Sequence, residues 1–257
     1  MPLTFGSVNA NVILPVRKSS MPSENQKQIC DQLEGCLHYR LEDIPSLPQE
    51  RRQKVDELGE HAVLDVIEVD LEAGFPVTVE TISEFKKLRK LRICGIDPIE
   101  NGYEPIFGFH ELQDIVFERT GLDDLSGFSA LLSLERFAFY DLTTHKSGAE
   151  VFGTLPNLKV LHLNDSEIDE NELQGISNSQ SILDLSFTIG IENFNLSPIA
   201  KLKQLKYLHI RKRNVVKLDF NCLLKLPSLK RLRLSPQIDA DSAILKQMEE
   251  NGITIEA

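Results

Sequence analysis

The side chains able to do chemistry are few and, with one exception, scattered. Cys30, Cys36, Cys94 and Cys222 include no Cys-x-x-Cys pair. Neither a zinc site nor a disulfide framework is written in that spacing, and reduced, mostly buried thiols are expected. The histidines stand at His38, His61, His110, His145, His162 and His209, and no H-E-x-x-H, G-x-S-x-G or P-loop occurs. Metal hydrolysis, serine acyl transfer and phosphate cradling therefore have no local signature. Asp123-Asp124 and Asp169-Glu170 are acidic pairs in predicted loops, without the dense oxygen cage that calcium needs. The expectation is no catalytic set, no cofactor and no metal. The exception is Tyr207, His209, Arg211, Arg231 and Arg233. Guanidinium forks with aromatic support suit docking to carboxylates or phosphates.

What must position them is legible as a repeat. Ile199, Leu202, Leu205, Leu208 and Ile210 are spaced 3, 3, 3, 2, and so are Leu223, Leu226, Leu229, Leu232 and Leu234. Phe152, Leu155, Leu158, Leu161 and Leu163 repeat the pattern, as do Phe128, Leu131, Leu134, Phe137 and Phe139. A degenerate copy is anchored on Ile182. The third position falls at Leu88, Leu112, Leu134, Leu158, Ile182, Leu205 and Leu229, at intervals of 22 to 24. One more step back reaches Leu64, with Ile67 and Val69 as its strand residues, which makes eight units. Apolar residues two apart read as a short half-buried strand. Those three apart read as a helical or 3₁₀ turn. Such a unit cannot bury its own apolar face, and stacking of neighbours does so.

Leu158-Lys159-Val160-Leu161-His162-Leu163 and Leu205-Lys206-Tyr207-Leu208-His209-Ile210 resemble the L-x-x-L-x-L segment of leucine-rich repeat proteins, with short bacterial-type units similar to the internalin repeat. The resemblance implies an α/β leucine-rich repeat solenoid. Its curved parallel β-sheet would lie on the concave side, with short helices or 3₁₀ turns on the convex side and caps at both ends. The Asn that the family places after each strand is missing. Ile96, Thr120, Leu142, Ser166, Gly190, Arg213 and Gln237 occupy those positions. Irregular loops are expected, with Thr120 and Ser166 as partial substitutes.

Three segments follow: a partly helical cap over residues 1–63, eight repeats over 64–235, and a helix–strand cap over 236–257. In the last, Asp241-Ser242 starts a helix, Asn251-Gly252 stops it and Ile253–Ile255 is a strand. Between the buried strand positions lie three columns of concave-face residues. The first reads Val66, Lys90, Asp114, Arg136, Val160, Asp184, Tyr207, Arg231. The second reads Glu68, Arg92, Val116, Ala138, His162, Ser186, His209, Arg233. The third reads Asp70, Cys94, Glu118, Tyr140, Asn164, Thr188, Arg211, Ser235. His162 and His209 are two rungs apart, roughly 10 Å, too far to share one metal ion with bonds of about 2 Å. The candidate partner-binding residues are Arg136, Tyr140, His162, Tyr207, His209, Arg211, Arg231 and Arg233.

The formal net charge of −11 argues against a nucleic-acid binder. It conceals segregation: residues 64–192 carry −15 and residues 193–257 carry +6, a dipole able to steer a partner. No apolar run reaches the roughly 20 residues of a membrane span, and no secretory signal is visible. The sequence thus leads to a cytoplasmic, non-enzymatic protein-interaction module, monomeric until it binds another protein. Either an immunity-type inhibitor or a regulatory scaffold subunit fits. The alternative is an effector or enzyme with its activity in the N-terminal 63 residues.

Overall fold

The structure, a computed structural model, describes residues 68–72, 88–94, 103–122, 124–140, 147–212 and 216–256. The segment 1–63, with its expected cap and Cys30 and Cys36, lies outside them.

The chain divides into two units, 1–112 and 113–257. In the first, β1 (Glu68–Glu72) and β2 (Lys90–Cys94) pair in parallel, and a 3₁₀ turn covers Glu104–Gly108. The register corrects one expectation. Glu68 pairs with Lys90 and Val69 with Leu91, whereas the repeat period placed Val66 and Ile67 there. The first interval is two residues shorter than the one assumed, which moves Glu68 from the second column to the first and Asp70 from the third to the second.

The second unit carries seven parallel strands in chain order: β3 (Asp114–Glu118), β4 (Arg136–Tyr140), β5 (Val160–Ile168), β6 (Asp184–Ile189), β7 (Tyr207–Lys212), β9 (Arg231–Leu234) and β11 (Thr254–Glu256). β8 (Val216–Lys217) and β10 (Ile238–Asp239) form a separate two-stranded parallel ladder. One continuous rung joins Asp114, Arg136, Val160, Asp184, Tyr207, Arg231 and Thr254. The expected first column is therefore present from Asp114 onward.

The connections match the three-residue half of the repeat. They are 3₁₀ turns at Ser126–Ala130, Ala149–Thr154, Ser197–Lys201 and Asn221–Lys225, and a helix, α1 (Glu170–Ile176). Asp169 caps α1. Its carboxylate accepts from Glu172 N at 2.8 Å, while the Glu172 carboxylate accepts from Asp169 N at 3.0 Å. This reciprocal box satisfies two amides that the first turn leaves open. The other Glu172 oxygen accepts from Ala149 N at 3.2 Å, tying the helix to the preceding turn. Two glycines make that approach possible. A Cβ on Gly153 would run into the Gly175 carbonyl, and one on Gly175 into Glu150.

The core is the repeat's apolar set. Leu134, Leu158, Leu161, Leu205 and Leu232 are fully buried, each worth about 1.5–3 kcal/mol relative to exposure. Phe117, Phe128, Phe137, Phe139 and Phe152 pack edge-on or tilted, with centroids 4.3 to 6.4 Å apart. The degenerate unit puts Ser179 at a core position. Its hydroxyl accepts from Ser181 N and Ile182 N at 3.2 and 3.3 Å, so the polar group is not orphaned. Helix α2 (Ser242–Glu250) starts on Asp241, whose carboxylate accepts from Ala243 N at 2.8 Å. It ends at Gly252 with φ +82°, and β11 then adds alongside β9.

The post-strand loops also depart from expectation. Ser166 does not take over the role of the missing Asn. Its hydroxyl is buried with no hydrogen-bond partner among the described residues. A bulge explains this, because β5 pairs Leu163 with Phe187 but next pairs Glu167 with Thr188. Asn164, Asp165 and Ser166 are extra residues with no counterpart on β6.

Candidate functional site

Alternation should leave every second strand residue open on the sheet face opposite the turns. Within the second unit this holds most clearly on β7 and β9, the earlier strands being open only in part. Val116, Ala138 and Ser186 are buried, as are Asn164 and Thr188. These short side chains lie between longer neighbours, and the bulge turns Asn164 inward to accept from Ser186 Oγ at 2.6 Å. β7 and β9 alternate cleanly, with Leu208, Ile210, Leu232 and Leu234 buried and Tyr207, Arg231 and Arg233 exposed. The surface thus opens where the charge is basic.

There the face forms a cavity of about 800 Å³. Of the eight candidate residues, Tyr140, His162, Tyr207, His209, Arg211, Arg231 and Arg233 line it, and Arg136 does not. Arg136 reaches the cavity through Tyr140 in a chain of contacts. Its Nη1 donates to Asp114 at 3.2 Å and its Nη2 to Tyr140 Oη at 3.4 Å. Tyr140 Oη lies 3.3 Å from His162 Nδ1, and His162 Nε2 lies 3.1 Å from Asp184 Oδ1. A carboxylate can only accept, so Nε2 donates to Asp184. In the neutral ring Nδ1 then accepts from the Tyr140 hydroxyl. Both nitrogens of His162 are engaged, which makes it a brace and leaves no lone pair for general-base work.

The opposite wall is cationic. The Arg231 guanidinium sits 5.7 Å from the centroid of the Tyr207 ring, which is 40% exposed. Arg231 Nε also pairs with Glu256 at 3.3 Å. Sequence reading placed no acid beside the last strands. Glu256 comes from β11, beyond the final repeat, and only counting β11 as one more rung would have found it. Arg233 is exposed and forms no ion pair or hydrogen bond among the described residues. His209 lies between the two walls. Burial, then the positive charges of Arg233 and Arg211, push its pKa down to about 4, so at neutral pH it is an uncharged ring.

Cys222 is buried, its thiol pushed up to about 11 chiefly by desolvation, and its S–H donates to Leu196 O at 3.4 Å. Among the described residues no group of three or more His, Cys, Asp or Glu could hold a metal ion. No described helix is long and apolar enough to cross a membrane.

No family model and no curated protein sequence matches the chain. Solved structures do. Internalin C2 from Listeria monocytogenes aligns with TM-score 0.56 at 20% identity, over 79% of this chain and 88% of that one. An internalin, InlF, from the same organism aligns with TM-score 0.46 at 13% identity, over 70% and 64% of the two chains. A leucine-rich repeat protein of Leptospira interrogans aligns with TM-score 0.45 at 17% identity, over 69% and 56%. Parallel strands at intervals of 22 to 24 residues, the turns that join them and the similarity to internalin C2 agree: this chain has the leucine-rich repeat fold, in a form similar to the internalins.

Proposed function

We propose that the chain is a protein-interaction module that grips a partner protein through the strand face of its second unit, at the cavity between β4 and β11. One observation carries this reading. Val116, Ala138 and Ser186 are buried on this face, whereas the cavity's far wall exposes Tyr207, Arg231 and Arg233, residue types that dominate binding hot spots. A braced wall from Arg136 to Asp184 supports rigid recognition, because little ordering cost remains when a partner docks. The leucine-rich repeat fold commonly mediates such contacts.

In this reading no reaction is catalysed and no cofactor is bound. The protein works as a cytoplasmic monomer until it meets its partner, as an inhibitor that occludes another protein or as a regulatory scaffold subunit. Residues 1–63 and 236–257 act as caps on the repeats.

Site-specific photo-crosslinking tests the choice of face. Benzoylphenylalanine in place of Tyr207 should trap a discrete partner from the native source. The same group in place of Lys201 or Lys225, both exposed on the turns, should not. Crosslinks only from the turn positions would refute the reading.

A further inference from the structure

Within the cavity the two carboxylates already have partners: Asp184 accepts from His162 Nε2 and Glu256 pairs with Arg231. Arg233, by contrast, has no anionic partner among the described residues. Next to it stands an idle ring. The His209 side chain is half-buried, lines the cavity, and neither gives nor receives a hydrogen bond among the described residues. A desolvated polar group without a partner is costly, and a ligand that supplies one recovers that cost.

An anion seated against Arg233 would do so. It would also offset the positive charges of Arg233 and Arg211, which add to burial in keeping His209 neutral. The groups facing His209 are Asp184 on β6, His162 on β5, Arg211 on its own strand, Arg231 and Arg233 on β9, and Glu256 on β11. The acidic segment 64–192 carries −15, and Asp114 and Glu118 lie on the same strand face. A long polyanion such as nucleic acid would be repelled along that face, whereas a short acidic stretch would not.

Resting on the interaction-module reading, we infer that the cavity takes a carboxylate side chain from a short acidic segment of the partner protein, anchored by Arg233, and that seating it drives a proton onto His209. The sign follows from the linkage. In the free protein this ring protonates only near 4. A neighbouring carboxylate raises that value, so the complex binds more protons and affinity rises as pH falls.

The test is calorimetric titration of the full chain with a hexaglutamate peptide in two buffers of different ionisation heat. At pH 6 the expected result is binding with uptake of a measurable fraction of a proton. Affinity should grow as much as about tenfold from pH 7.5 to 5.5, where most glutamates remain ionised. Arg233→Ala should abolish binding. His209→Gln should leave the peptide bound but remove the proton uptake and flatten the pH dependence. Peptide binding without proton uptake in the native protein, or an unchanged pH dependence in His209→Gln, would overturn the coupling. No binding of hexaglutamate, or binding of inorganic phosphate in its place, would overturn the carboxylate assignment. A partner still trapped through position 207 in either case would show that the interaction reading stands while this inference fails.

Discussion

Leu208→Asp will not give a folded second unit. Leu208 is 2% exposed on β7 and pairs with Leu185 on one side and Leu232 on the other, both fully buried. A carboxylate there has no cation to meet inside the stack, so it must either stay charged at a cost of several kcal/mol or fold only as the neutral acid. A single domain holds about 5–15 kcal/mol in total. Each repeat also contacts only its neighbours, so losing one interior rung removes two interfaces. The expected result is an insoluble chain, or a soluble one with no cooperative thermal transition. A soluble Leu208→Asp protein that melts cooperatively near the native temperature would show that the strand register is wrong.

Phe137→Ala should be the next most damaging change, with the chain still folded. Phe137 is fully buried and its ring contacts four others: Phe152 at 4.3 Å, Phe139 at 4.8 Å, Phe128 at 4.9 Å and Phe117 at 5.9 Å. Truncation removes the transfer energy of the ring and leaves a cavity that four large side chains fill poorly. The cost is about 3–5 kcal/mol, a fall of roughly 6–20 °C in Tm for a domain this size. Phe137→Leu keeps most of the volume and should lose less than half as much. Equal stabilities for native and Phe137→Ala proteins in thermal or urea melts would mean the aromatic cluster is not the centre of the core.

Those sites were readable because the repeat marks them. Each buried rung position falls two or three residues from the last, and Phe128, Phe137, Phe139 and Phe152 all occupy the interior assigned to them. Reading failed where the mark is absent. The first register slipped because an interval of 22 was taken for 24, and near Leu64 no clear strand motif arbitrates. The bulge at Asn164-Asp165-Ser166 consists of three polar residues that look like any loop. The open face was over-extended because alternation says which way a side chain points, not whether its neighbours cover it. Ala138 and Ser186 point to the same face as His162 and His209 yet are buried. The seven candidate residues that line the cavity were found from strand columns alone, since lateral neighbours in a parallel ladder sit side by side by construction. Glu256 and the pairing of Arg231 were missed because β11 lies outside the leucine pattern.

The central claim is that recognition belongs to the open strand face and not to the turns. Binding of the partner trapped through position 207 tests it most directly, by comparing Tyr207→Ala/Arg233→Ala with Lys201→Ala/Lys225→Ala. Both pairs are exposed, so neither should move Tm by more than about 2 °C. The strand-face pair should weaken binding by at least about tenfold, as expected of hot-spot residues, and the turn pair by less than about twofold. Native affinity in Tyr207→Ala/Arg233→Ala, with loss in Lys201→Ala/Lys225→Ala, would contradict it.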